Sequence, residues 1–180
     1  MLLRTAASKN DYSNIHALYL SAFPKEERAP FFLLKRKALQ RKGMFLIAEE
    51  ENTFLGFLHI VIYQDLVYLV FFAMNDAARN HGYGSKALQL LKEHFPDKKI
   101  LIARETLDPV SDNYAMRVRR YGFYCRNSYT DLPCTVIEAG VSYDTMSIGG
   151  NVEPEEYNQL VRAWIGPWMV KLIHLEMKRK

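Results

Sequence analysis

The chain predicts an α/β fold: a mixed, mostly antiparallel sheet of about seven strands flanked by helices, with a C-terminal helical extension. Three observations predict it. Residues 44–48, 54–63 and 66–74 are consecutive strand-like runs with turn signals at Glu51-Asn52 and Gln64-Asp65, the pattern of an antiparallel meander. Directly after 66–74 comes a glycine-bearing loop, and then helical spacing at Ala87, Leu88, Leu91 and Phe95. Near the end, Tyr157, Leu160, Val161, Trp164, Ile165 and Trp168 recur at helical spacing behind Pro154.

In chain order, residues 2–5 form a short strand. Asp11 caps a helix whose apolar positions include Ile15, Leu18 and Tyr19, and Pro24 interrupts it. A second helix covers 31–42 and ends at Gly43. The three meander strands follow, then the loop and its helix, which stops at Pro96. Residues 100–103 form a strand in front of Glu105. Asp112 or Asn113 starts a helix with Tyr114, Val118, Tyr121 and Cys125 on one face. A strand pair, 135–137 and 141–146, turns at Gly140. Pro154 opens the last helix with Glu155 and Glu156 in its first turn; Gly166-Pro167 breaks it, and Lys178-Arg179-Lys180 reads as a frayed helix end.

With 180 residues, 49% hydrophobic and 24% charged, the chain has an ordinary globular composition and not that of a disordered tract. No apolar run reaches spanning length and the first residues lack signal-peptide architecture, so neither membrane nor secretion is expected. Cys125 and Cys134 lack C-x-x-C spacing and suit a reducing, cytoplasmic compartment. The five histidines are scattered, which predicts no metal. Net charge is +4 without a nucleic-acid motif, so no nucleic-acid partner is expected. The basic run Lys25, Arg28, Lys35, Arg36, Lys37, Arg41 and Lys42 reads as a solvated helix face.

The loop carries the chemistry. Arg79-Asn80-His81-Gly82-Tyr83-Gly84-Ser85 leads from a strand into a helix start. Glycines let backbone approach an anion, and a helix N-terminus offers free N–H groups and a favourable dipole. Arg79 adds a planar donor suited to phosphate. The segment therefore reads as a site for a phosphorylated cofactor. A P-loop fails because no Gly-Lys-Ser/Thr closes it. A nicotinamide dinucleotide site, with Gly82-Tyr83-Gly84-Ser85-Lys86-Ala87 as G-x-G-x-x-A and Glu105 as the ribose acid, ranks second. Residues 75–81 separate its first glycine from the strand, where that motif demands an immediate turn.

Arg79-Asn80-His81-Gly82-Tyr83-Gly84 also matches the Gln/Arg-x-x-Gly-x-Gly/Ala signature of the GNAT acyltransferases, with Phe72-Ala73-Met74 at the preceding strand end. Phe123-Tyr124-Cys125-Arg126-Asn127-Ser128-Tyr129 resembles the family's Phe-Tyr-x-x-Asn-Gly-Phe segment, and residues 4–28 are similar to its N-terminal region. The order of elements agrees over nearly the whole chain. The resemblance implies a GNAT domain over 1–150, an extension over 151–180 packed on it, and acetyl-CoA as donor without a metal. Backbone of Phe72, Ala73 and Met74 would then hold the pantetheine arm, Arg79 to Ser85 the pyrophosphate, and Arg126 a phosphate. Tyr124 would be the general acid. Many family members carry a glutamate base on the strand before the loop, but 66–74 contains no acid. Glu105 ranks first as its replacement, Glu26 and Glu27 second, and a water chain remains open. Glu26, Glu27 and Arg28 lie where the family often binds its acceptor. The implied reaction is direct acetyl transfer to a primary amine of a small molecule or peptide, by a monomer or homodimer. A CoA-binding module without catalysis is the alternative from another class. The family's glycine is Ser128 here, and serine tolerates a positive φ less well.

Overall fold

The computed structural model describes residues 1–180, the side chain of Glu26 excepted. The elements are β1 (Leu2–Thr5), α1 (Lys9–Ala22), a 3-10 turn (Lys25–Glu27), α2 (Phe31–Leu39), β2 (Met44–Glu50), β3 (Thr53–Tyr63) and β4 (Leu66–Met74). A second 3-10 turn (Asp76–Ala78), α3 (Tyr83–His94), β5 (Lys99–Glu105), α4 (Tyr114–Arg126), β6 (Thr130–Glu138) and β7 (Val141–Ile148) follow. The chain ends in α5 (Pro154–Ile165), α6 (Pro167–Leu172) and β8 (Glu176–Arg179). The strand order is β1-β2-β3-β4-β5-β7-β6-β8. No helix among the described residues is long and apolar enough to cross a membrane. The chain divides into two compact units, Met1–Val61 with Leu69–Pro96, and Ile62–Tyr68 with Asp97–Lys180. Residues 151–180 therefore share a unit with 97–150, and no division falls at residue 150.

In the first unit, β2 pairs antiparallel with β1 and β3. Ser8, not Asp11, is the N-cap of α1. Its Oγ accepts from the Asp11 N–H, and Asp11 answers as the reciprocal half of a capping box, its Oδ2 accepting from the Ser8 N–H at 2.9 Å. The Ala7 N–H donates to the same oxygen. Arg4 grips Asp11 through two donors at 2.9 and 3.0 Å and reaches Glu49 with the other edge of its guanidinium. These bonds hold the buried Asp11 carboxyl well below the usual carboxylate range. The core beneath is aromatic: Tyr19, Phe31, Phe45, Phe57 and Phe71 meet mostly edge-on or tilted. His59 lies among them, and burial alone drives its pKa down to about 3, so it stays neutral.

In the second unit, β7 pairs antiparallel with β5 and β6, and β6 with β8. The last strand corrects the expectation of a frayed helix at 178–180. Lys178 lies opposite Thr135 and Arg179 opposite Cys134, and the Lys180 N–H donates to Pro133 O. The edge of β6 offers unpaired backbone groups, and a four-residue strand can satisfy them while burying only Met177. Asn158 on α5 locks it, donating to Met177 O and accepting from the Met177 N–H. The face of α4 that carries Tyr114, Val118, Tyr121 and Cys125 is largely exposed. Tyr114 is 37% and Val118 41% exposed and Cys125 is exposed, whereas Tyr124 is the helix's buried residue.

Helix α4 ends in a Schellman motif: the Ser128 N–H donates to Cys125 O and the Tyr129 N–H to Tyr124 O, both at 3.1 Å. Ser128 takes the left-handed position, φ 64°. A side chain there costs about 1 kcal/mol relative to glycine. Ser128→Gly is therefore expected to stabilise the protein by up to about 1 kcal/mol. Urea denaturation checks this; a loss of stability would show that the Ser128 hydroxyl holds something the backbone does not reveal.

Candidate active site

In the first unit, the candidate cofactor loop is built where β4 stops. Strand β3 is shifted against β2 so that Ala48 faces Gly56 but Glu49 faces Phe54, which leaves Leu55 as an extra residue. Asn75, the first residue after β4, takes up the carbonyls around this bulge. Its N–H donates to Leu55 O at 2.8 Å and its side-chain amide to Phe54 O at 2.7 Å. Its Oδ1 accepts from the Ala78 N–H, capping the 3-10 turn. Gly56 lies directly against the strand end: a Cβ there would collide with Ala73 O and come within 2.7 Å of Met74 Sδ. Phe72 is half-buried, and Ala73 and Met74 are buried.

The loop then rises to the surface. Arg79 folds back, donating from Nε to Met74 O at 3.1 Å and pairing with Asp76. His81 Nδ1 lies 2.7 Å from Arg79 O; that nitrogen must carry the hydrogen, since a carbonyl only accepts. Asn80 (φ 63°) and Gly82 (φ 79°) are both left-handed. Gly82 is the N-cap of α3 and brings no capping side chain, and nothing lies within 4 Å of where its Cβ would be. The first N–H groups of α3 therefore have neither an intrahelical acceptor nor a side-chain cap. Free N–H groups at a helix start can accept an anion. Gly84 and Ser85 lie inside the first turn of α3. The Tyr83 hydroxyl donates to Glu50, which also binds the N-terminal ammonium at 2.9 Å.

Other residues expected from the sequence lie in the second unit. Tyr124 is 9% exposed and its ring packs against Phe123 and Tyr129. Burial pushes its pKa up to about 12, partly opposed by the charge of Arg120. Glu105, at the end of β5, has both oxygens engaged. Oε1 accepts from Asn113 at 2.8 Å and lies 3.2 Å from Arg117 Nε, and Oε2 accepts from Arg120 at 2.6 Å. Arg126 is exposed and its guanidinium lies back over Gly122. Glu27 and Arg28 sit at the 3-10 turn after α1, where Arg28 donates to Leu20 O; the Glu26 side chain lies outside the described residues. Among the described residues no group of three or more His, Cys, Asp or Glu could hold a metal ion. Gly56 and Asn75 were not singled out from the sequence. An isolated glycine inside a strand pattern and an Asn-Asp pair at a strand end were the signals for them.

The profile of the GNAT acetyltransferase family matches residues 12–123, which include the loop and stop one residue short of Tyr124. The chain belongs to the GNAT acetyltransferase family. No curated protein matches it by sequence. Among solved structures it is similar to a GNAT-family protein from Bacteroides thetaiotaomicron, with TM-score 0.71 and 24% identity over 90% of this chain and 94% of that one. It is also similar to an aminoglycoside 6'-N-acetyltransferase in complex with coenzyme A, with TM-score 0.66 and 14% identity over 86% and 99% of the two chains. A third is the aminoglycoside 6'-N-acetyltransferase from Enterococcus faecium, with TM-score 0.63 and 13% identity over the same shares. At these identities the likeness establishes the fold.

Two glycine substitutions separate backbone strain from collision. Gly82→Ala meets no neighbour and should cost about 1 kcal/mol, through its positive φ alone. Gly56→Ala must push the backbone of Ala73 and should cost about 1–3 kcal/mol. Denaturant unfolding measures both; a Gly56→Ala variant less perturbed than Gly82→Ala would contradict the close approach.

Proposed function

We propose that this protein transfers an acetyl group from acetyl-CoA to a primary amine of a small-molecule or peptide acceptor, directly and in a ternary complex. The observation that carries this reading is the uncapped start of α3 behind β4, with Asn80 and Gly82 left-handed. Family membership makes coenzyme A the ligand whose pyrophosphate suits those N–H groups. The solved relatives include one with coenzyme A bound, and their names specify aminoglycoside and ribosomal-protein alanine acceptors, all amines. Two free cysteines are consistent with a cytoplasmic location.

Acyl transfer from a thioester requires the carbonyl to be held, its oxygen to meet a donor as charge develops, and the thiolate to be protonated or stabilised as it leaves. In this reading the backbone of Phe72 to Met74 holds the pantetheine arm and the Met74 N–H serves the oxyanion. Residues Arg79 to Ser85 take the pyrophosphate. Tyr124 gives its proton to the departing thiolate. A phenol near 12 remains protonated throughout the assay range, so the proton is present when needed. Cys125 is exposed and has no helix-spaced histidine, so no acyl-enzyme is invoked. Glu105 is not given the role of base, because its lone pairs already face Asn113, Arg117 and Arg120. The amine then enters neutral or loses its proton to water. Glu27 and Arg28, with Glu26, are the proposed acceptor contacts. The engaged Glu105 and the absence of an acid in β4 favour a CoA-binding module without catalysis as the second reading.

The coenzyme separates these readings from a dinucleotide enzyme. Acetyl-CoA at a hundred times its Kd should stabilise the protein by about 2.7 kcal/mol, and NAD(H) or NADP(H) should not. Equal thermal stabilisation by a nicotinamide cofactor would overturn the assignment. Tyr124→Phe should lower kcat by roughly ten- to a thousand-fold at saturating acetyl-CoA, with coenzyme affinity unchanged. Tyr121→Phe is the comparison: it keeps the ring that meets Arg104 but loses a bond to Asp131, so it should cost about 1 kcal/mol of stability and lower turnover far less than Tyr124→Phe. Full turnover by Tyr124→Phe on an amine acceptor would make the tyrosine structural. Acetyl-CoA binding with no acetyl transfer across a broad panel of amines would favour the inactive module.

A further inference from the structure

We propose that Glu105 is a positioning residue: from the end of β5 it fixes the first two turns of α4 and so sets where Tyr124 stands. The inference rests on the role of Tyr124 proposed above. Asn113, Arg117, Arg120 and Tyr124 follow at i, i+4, i+7 and i+11, which places them on one stripe of α4. The first three converge on the same carboxylate, at 2.8, 3.2 and 2.6 Å.

The helix start gives up its own cap for this arrangement. Asn113 is the N-cap residue of α4, yet its side chain makes no capping bond. Its amide donates to Glu105, and its oxygen accepts from Arg117 Nε at 2.6 Å. Arg117 also donates to Thr106 O at 2.8 Å. Asn113 and Arg117 are thus both turned onto residues 105–106. Glu105 is 12% exposed at its side chain, so the bonds are only partly shared with water and are stronger than surface pairs.

The neighbouring residue holds the same helix from beside the stripe. Arg104 lies with its guanidinium carbon 4.5 Å from the centre of the Tyr121 ring, while its donors meet Asp131 and Asp144. Tyr121 in turn donates to Asp131 at 2.7 Å. Two adjacent residues of β5 therefore grip α4 at Tyr121 and along the stripe that ends at Tyr124. Arg120, the stripe's neighbour of Tyr124, is the group whose charge opposes the effect of burial on the phenol. Releasing Glu105 frees Arg120 as well as the helix.

A double-mutant cycle with hydrogen exchange tests the proposal. Glu105→Ala should speed amide exchange in residues 114–120 by roughly tenfold or more, as local opening becomes easier. It should lower kcat with little change in calorimetric coenzyme affinity. Combined with Tyr124→Phe it should add no further loss, because Glu105 acts through Tyr124. Glu105→Gln, which keeps one acceptor oxygen, should recover part of the lost turnover and of the lost protection. If Glu105→Ala does not fold, Glu105→Gln carries the same cycle. Unchanged exchange in α4 would overturn the clamp. Losses in kcat that multiply with those of Tyr124→Phe would also overturn it, since Glu105 would then act on the chemistry by itself. A silent Tyr124→Phe sinks the acid role proposed above, and the exchange result still decides the clamp.

Discussion

The end of β4 is held by a contact that leaves no room for a side chain. Gly56 on β3 presses against Ala73 and Met74, and the bulge at Leu55 turns two carbonyls toward Asn75. Backbone geometry follows from there. Asn75 caps the 3-10 turn, Arg79 ties back to Met74, and the chain reaches Gly82 in the left-handed conformation that starts α3. A helix start aimed at an anion is useful only if the preceding strand end is fixed relative to it. The bulge and the glycine supply that fixed point, and both lie upstream of the motif they serve.

The charged side chains divide into two kinds. Lys178–Glu176 and Arg162–Glu155 are exposed pairs whose contribution is small. Arg4–Asp11, Arg104–Asp131–Asp144 and Glu105 with its arginines are partly or largely removed from water, and each joins different elements. Leaving one member of such a cluster unpaired costs more than the bond itself, because a buried charge then loses both partner and solvent. These clusters specify where α1 and α4 sit, a job the aromatic and aliphatic cores do less selectively.

Much of the fold was legible because its signals are local. The meander strands announce themselves by alternation and turns, Pro154 and Gly166-Pro167 mark helix ends by backbone sterics, and the glycine loop stands between a strand and a helix. The errors have different causes. Ser8 instead of Asp11 caps α1 because the two side chains share a local capping box, whereas β8, where a helix end was expected, depends on a partner far along the chain. Four residues ending Lys-Arg-Lys show no strand pattern until β6 presents an unpaired edge. Of the candidate site, the loop's place between a strand and a helix was legible, and the structure adds that Asn80 and Gly82 take the positive φ.

The sequence by itself determined that the chain is an α/β domain with a glycine-led helix start behind a strand, and that Tyr124 rides on a helix after the fifth strand. Periodicity, proline and glycine sterics, and the orphan N–H groups of a helix are properties of short segments and need no tertiary information. Only the tertiary structure decided which glycine must stay bare for Ala73 to approach, and which way α4 turns. It also decided what the carboxylate of Glu105 does. From sequence it was an acid at the end of a strand, available to any partner. In the folded chain three donors from one stripe of α4 occupy it, because burial leaves a charge no alternative to nearby hydrogen-bonding partners.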